Sequence, residues 1–289
     1  RAHQAYEEGL ILWQRAGEVE PDVSVPTAPH ALRVFWDEPW TLDSTGFQDI
    51  YSGGVIAELF SRLVDWSPEM DILPDVAQTW EVSEGGRKYV FHLREDARWS
   101  DGTPLTAEDF AYAWRRVLDP AIGSPAASLL YDVKGAEAFH QGEVSDPGDV
   151  GVQALDEHTL VVELKEPTSY FLQLLAYPAT GPVPRHVVET YGQAWTEVDN
   201  IVTNGPFRLE SWQREQSMVF VRNPEYRGRL TGNVQQIDLF ALEWSAALKM
   251  YEDDSLDVLD LGLLPPLEMD RARQQHAGDY LSPPCLATI

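Results

Sequence analysis

Residues 78–120, QTWEVSEGGRKYVFHLREDARWSDGTPLTAEDFAYAWRRVLDP, limit the possible folds more than any other part of this chain. Trp80 and Val82 open an alternating apolar run. Gly85-Gly86 then marks a turn, because glycine accepts positive φ without a steric penalty. Tyr89, Phe91 and Leu93 alternate with Lys88, His92 and Arg94, the period of a half-buried strand. Asp101-Gly102-Thr103-Pro104 is a second turn. Thr106 and Asp109 stand in capping-box register, and Phe110, Ala113, Trp114, Val117 and Leu118 fall on one helical face. Asp119-Pro120 ends that helix, since the residue before proline is pushed out of the α region. The pattern predicts a hairpin, a turn and a capped helix, with no catalytic group arranged among them.

The rest of the chain has the same α/β character. A strand is predicted at 32–36 and a helix at 53–64. Asp156-Glu157-His158 turns into a strand at 159–164, and Tyr170–Leu175 resumes helical spacing. Further strands are expected at 206–212, 217–222, 234–242 and 256–261, with helices at 245–251 and 267–276. Near the start, Tyr6, Leu10 and Trp13 have weak helical spacing, and residues 20–30 contain three prolines and read as a linker. Residues 1–30 are therefore a tether or lead-in, or else a docking helix for a partner.

With 289 residues, 44% of them hydrophobic, the chain buries a sizeable core and has room for roughly two domains. Its 47 acids against 21 bases give a net charge of −26, which makes nucleic acid and anionic membrane surfaces poor partners. The acidity serves either to attract cationic ligands or to keep a solvated, self-repelling surface. No stretch has the length and apolarity needed to cross a bilayer. The single cysteine, Cys285, makes neither an internal disulfide nor a CxxC site.

Catalytic chemistry finds no foothold in the sequence. HExxH, GxSxG, the P-loop and GxGxxG are all missing. His3, His30, His92, His140, His158, His186 and His276 are scattered without ligand spacing, so no metal and no cofactor is expected. Glu108-Asp109 and Asp253-Asp254 are adjacent pairs, which do not face each other on a helix and read as cap and surface charges.

WEVS, GRKYVFHLREDARWSDGTPLTAEDF and the aromatic helix after them resemble the signature of family 5 of the extracellular solute-binding proteins, the oligopeptide, dipeptide and nickel receptors of ABC importers. Collinear segments extend the resemblance: LDS and GGVIAELFSRLV within 42–64, ILPDVAQTW at 72–80, SPAASLLYDVKGAEAF at 124–139, VQALDEHTLVVELKEP from 152, NIVTNGPFRLESW at 200–212 and VRNPEYRG at 221–228. The resemblance implies an α/β, type II periplasmic-binding-protein-like fold. It has a discontinuous first lobe (31–60 plus 185–284) and an inserted second lobe (61–184), while 285–289 begin the crossing to a third, closing lobe that is missing here. It also implies an extracellular or periplasmic, membrane-anchored lipoprotein, monomeric, tethered only outside this chain. Such a receptor captures a peptide or related small solute and delivers it to ABC permease subunits. A sensory or interaction domain on the same scaffold is the alternative, and an enzyme has no support.

The binding residues also come from the resemblance. The family's first-lobe ligand loop maps onto Phe47, Gln48, Asp49, Ile50 and Tyr51, with the backbone of Gln48, Asp49 and Ile50 facing ligand; an ordinary strand-to-helix loop is the competing reading. The helix after the loop offers its N-terminus to a ligand carboxylate. Peptide receptors often place Tyr at the third position of the SPAAS segment, which here is Ala126. That departure argues against ordinary oligopeptide specificity. Gly205 in the TNG segment is assigned to a tight turn. Cys285 resembles a residue that forms a disulfide with the third lobe, or is a buried free thiol.

Overall fold

The region around Gly85-Gly86 folds as its local chemistry dictates. In the computed structural model, which describes residues 31–67 and 69–279, both glycines hold positive φ, 68° and 97°. The lead-in at 1–30 and Cys285 lie outside the described residues. In chain order the strands are β1 (Ala31–Phe35), β2 (Val64–Trp66), β3 (Ile72–Pro74), β4 (Ala77–Ser83), β5 (Lys88–Leu93), β6 (Val152–Asp156), β7 (Thr159–Glu163), β8 (Phe207–Gln213), β9 (Ser217–Arg222), β10 (Gln236–Phe240) and β11 (Val258–Leu259). The α-helices are α1 (Ile50–Leu59), α2 (Ala107–Leu118), α3 (Ala136–His140), α4 (Phe171–Leu174), α5 (Arg185–Tyr191), α6 (Trp244–Glu252) and α7 (Pro266–Gln275).

Two units divide the described chain: 31–38, 209–222 and 230–279 form the first, and 39–208 with 223–229 form the second. In the first, β1 pairs in parallel with both β10 and β11, and β10 pairs antiparallel with β9, giving the order β11-β1-β10-β9-β8. Phe35, Ala247, Leu256, Leu261, Leu264 and Ala272 form its buried core, which joins the sheet to α6 and α7. Asp257 clamps Arg33, accepting from Nε at 2.9 Å and Nη2 at 2.7 Å.

In the second unit, β4-β5-β7-β6 form an antiparallel sheet and β2-β3 a separate two-stranded ribbon. Tyr89, Phe91 and Leu93 are buried along β5 in strict alternation. β4 departs from the expected half-burial: Ala77 alone is buried and Val82 is 51% exposed. It is the outermost strand, paired only with β5, and its register shifts between Ala77 and Thr79.

The capping box of α2 is formed, with the Thr106 N–H donating to the Asp109 carboxylate at 2.8 Å. Phe110, Ala113, Trp114, Val117 and Leu118 are all buried, and the helix packs against β6 and β7. Each of the large ones contributes about 1.5–3 kcal/mol by leaving water. Asp119 takes an extended conformation and stops the helix.

The strand expected at 234–242 is shorter, Gln236–Phe240, and two other elements differ from the sequence reading. α1 runs Ile50–Leu59 rather than 53–64. A Cβ on Gly53 would lie 3.1 Å from the Phe47 ring, so this glycine admits the ring against the helix. The expected strand at 256–261 shortens to β11, because the Asp260 side chain accepts the Gly262 N–H at 2.8 Å and turns the chain into a 3-10 turn at Leu261–Leu263.

Candidate ligand-binding loop

The loop from Trp40 to Tyr51 is built around Asp43. Its carboxylate accepts from Arg116 Nη1 at 2.8 Å and Nη2 at 2.6 Å, from the Thr45 N–H at 2.9 Å and hydroxyl at 2.7 Å, and from Trp195 Nε1 at 3.1 Å. Burial alone would raise its pKa, but the Arg116 guanidinium and the Thr45 donors outweigh burial and hold the carboxyl below its ordinary value. A buried ion pair with every lone pair engaged is the geometry in which such a pair is sustained.

From this hub the chain turns back into α1. The Asp49 carboxylate caps the helix by accepting the Ser52 N–H at 2.7 Å. Ser52 Oγ in turn accepts the Trp40 N–H at 2.9 Å, so both ends of the loop are fastened to the first turn of the helix. Phe47 is half-buried over Gly53, and Tyr51 is half-buried. Gln48 is exposed and makes no hydrogen bond among the described residues. Ile50 is 72% exposed and Trp40 88% exposed.

The SPAAS segment is tied to the chain just before the expected loop. Ser124 Oγ donates to the Thr45 carbonyl at 2.5 Å and accepts the Ala126 N–H at 3.2 Å. Ala126 itself is buried, so its methyl group fills space at the foot of the loop. Of the six expected residues, Asp49 spends its carboxylate on the cap, Phe47 packs on the helix, and Gln48 and Ile50 face solvent.

Sequence reasoning missed Trp40 and the Asp43–Arg116–Trp195 hub. Trp40 had a signal, an aromatic after proline in a loop. The hub had little, because its members are 73 and 152 residues apart.

The TNG segment lies against the end of α1, where Gly205 N–H donates to the Leu59 carbonyl at 2.8 Å. Gly205 does not hold positive φ; a Cβ there would lie 2.6 Å from the Glu58 carbonyl oxygen. Close approach, not a turn, requires this glycine. Among the described residues no group of three His, Cys, Asp or Glu side chains is placed to hold a metal ion, and no helix is long and apolar enough to cross a membrane.

The parallel pairing of β1, the inserted antiparallel sheet and the loop into α1 define a periplasmic-binding-protein-like α/β fold. Haemophilus influenzae OppA in complex with RPPGFSPFR superposes with a TM-score of 0.79 at 31% identity, covering 88% of this chain and 50% of that one. The Escherichia coli murein tripeptide binding protein MppA gives 0.79 at 32% identity over 86% of this chain and 48% of its own. The pattern of the bacterial extracellular solute-binding proteins, family 5 Middle, matches residues 71–284, and the chain belongs to this family. By sequence it is 38% identical over 224 residues to the probable deoxycholate-binding periplasmic protein YgiS of E. coli, covering 76% of this chain and 42% of YgiS. It is 32% identical over 273 residues to the periplasmic oligopeptide-binding protein OppA of E. coli, covering 92% of this chain and 50% of OppA. The chain thus spans about half the length of the curated relatives it matches.

Proposed function

We propose that this chain is the peptide-capturing part of an extracytoplasmic receptor that delivers its ligand to an ABC permease. The observation that carries the reading is the fastened loop: Asp43, Ser52 and Ser124 tie down the chain on both sides of 47–51 while Gln48, Ile50 and Trp40 stay exposed. An exposed, preorganised backbone segment suits strand-like pairing with a peptide, and rigidity lowers the entropic cost of binding. Trp40 and Ile50 supply apolar area for a ligand side chain. Capture proceeds by hinge closure between lobes, with no covalent step. The receptor works as a monomer, anchored as a lipoprotein outside this chain. A first lobe at 31–60 plus 185–284 and an inserted lobe at 61–184 belong to this reading; the two units described above divide the chain at other points.

A second reading takes an amphipathic steroid acid as ligand. The exposure of Trp40 and Ile50 and the likeness to a probable deoxycholate-binding protein support it.

Isothermal titration of the chain against tripeptides and against deoxycholate separates the two. Weak binding of peptides, with a Kd of about 0.1–1 mM, and a roughly tenfold loss on Trp40→Ala are expected for the first reading. Binding of deoxycholate with no peptide binding supports the second, and no binding of either at millimolar concentration refutes both.

A further inference from the structure

Asp75, between β3 and β4, is a buried carboxyl that the candidate loop does not use. Its Oδ2 accepts the Arg62 N–H at 3.1 Å. Beside it, Asp65 takes the Arg62 guanidinium at 2.6 Å and also that of Arg229. Asp75 and Asn204 line one cavity of about 20 Å³, enough for a single water molecule. Asn204 is 5% exposed; its Nδ2 donates to the Ser61 carbonyl at 3.1 Å, while its Oδ1 receives no donor. Flipping the amide would set Oδ1 against that carbonyl, so the orientation is fixed. A buried acceptor without a donor costs about 1–3 kcal/mol. A neutral Asp75 carboxyl brings an O–H donor of its own to this cavity, whereas an ionised one brings acceptors only.

The rest of the wall includes Tyr226, Arg227 and Gly228, from the segment 223–229. The chain sends this segment out from between β9 and β10 to join the second unit. Asn223 holds it there through its N–H to the Pro206 carbonyl and its Nδ2 to the Gly205 carbonyl, both at 2.9 Å, and Arg229 holds it through Asp65. The other cations at the cavity are engaged elsewhere. Arg94 pairs with Asp96 at 3.1 Å, Arg98 donates to the Glu95 and Ala97 carbonyls at 3.0 and 2.9 Å, and Arg227 donates to the Pro224 carbonyl at 2.5 Å. Arg62 and Arg229 are thus the cations facing Asp75, and Asp65 the facing anion.

We infer that Asp75 and Asn204 form a proton-binding site that fastens the 223–229 segment to the second unit, tight when Asp75 carries a proton and loosened when it ionises. Ionisation sets a second negative charge beside Asp65, competes with it for Arg62 and Arg229, and removes the donor that the protonated carboxyl brings to the cavity. Burial, and after it the Asp65 charge, pushes the Asp75 carboxyl from 3.8 up to about 6. A carboxyl with a raised pKa binds its proton more tightly when the segment is docked. Docking therefore weakens as pH rises through the window from 3.8 to 6, by a factor on the order of a hundred in the opening equilibrium if opening fully hydrates Asp75.

Hydrogen exchange of the 223–229 amides tests this between pH 4.5 and 7.5, with rates corrected for intrinsic exchange. Protection in the unsubstituted chain is expected to fall tenfold or more across that range while the amides of β5 and β7 hold theirs. Asp75→Asn, permanently neutral, is expected to keep the acid-level protection at pH 7.5. The carboxyl ¹³C resonance of Asp75 in the unsubstituted chain provides a check that needs no variant, with an expected midpoint near 6. Flat protection in the unsubstituted chain, the same fall in Asp75→Asn, or a carboxyl midpoint below 4.5 would each overturn the inference.

Discussion

Replacing Asp43 with Asn removes one charge and one acceptor from a site where every acceptor is used. The carboxylate now takes two hydrogen bonds from Arg116, two from Thr45 and one from Trp195. An amide presents one oxygen and one NH2 group, so whichever way it turns, its NH2 faces donors: Arg116 Nη2 and Trp195 Nε1, or Arg116 Nη1 and Thr45. The Arg116 side chain is 15% exposed and would be left largely buried with its charge uncompensated. Breaking a buried pair by removing one partner costs about 3–5 kcal/mol, a large share of the stability of an ordinary domain. Urea unfolding followed by tryptophan fluorescence, to which the buried Trp99, Trp114 and Trp195 of the second unit contribute, reads the loss. Asp43→Asn is expected to lower the unfolding free energy by that amount at pH 7. Arg116→Gln is expected to do likewise, with the double variant losing at least 1 kcal/mol less than the sum. The difference between Asp43→Asn and the unsubstituted chain is expected to shrink in acid. The folded pKa of Asp43 is lowered, so its stabilisation is complete above the ordinary carboxylate value and is lost as pH falls through the folded one. A loss under 1 kcal/mol, or strict additivity with Arg116→Gln, refutes the hub as described.

Gly205→Ala is expected to cost about 1–3 kcal/mol, because the Cβ meets backbone at the end of α1 and not a flexible side chain; a midpoint unchanged in urea contradicts this. Ser124→Ala removes the hydrogen bond to the Thr45 carbonyl and the acceptor for the Ala126 N–H. It is expected to cost about 1–2 kcal/mol and to weaken ligand binding further than Thr106→Ala, which loosens only the cap of α2. Equal ligand affinity in the two variants, measured by titration calorimetry, shows that the Ser124 tether does not shape the loop.

What the sequence made legible was local. Gly85-Gly86, the Asp101–Pro104 turn and the Thr106–Asp109 cap each act within a few residues, and each formed where its chemistry indicated. α1 starts three residues before the expected 53, where the Asp49 cap sets it, and Gly53 serves the Phe47 ring, a tertiary partner. Alternation alone made β4 half-buried, but burial depends on having neighbours, and β4 has one. The candidate loop was located through likeness to a family and not through spacing. What stiffens it comes from Arg116, Ser124 and Trp195, residues that only the fold brings to Asp43 and Thr45. Asn204 gave no warning in the sequence that its amide oxygen would be buried without a donor.

The exposed β4 has a consequence for how this chain behaves at high concentration. An edge strand shows an unpaired row of N–H and C=O groups to any passing chain, and one carrying Trp80 and Val82 invites intermolecular pairing. Two features blunt that invitation. The register shift between Ala77 and Thr79 breaks the regular ladder, and Glu81 and Glu84 place charges along the strand and in its turn. At net charge −26, a second copy approaching this edge is also repelled before it can align. That repulsion fades as pH falls toward the isoelectric point near 4.4, and aggregation through β4 is expected to begin there.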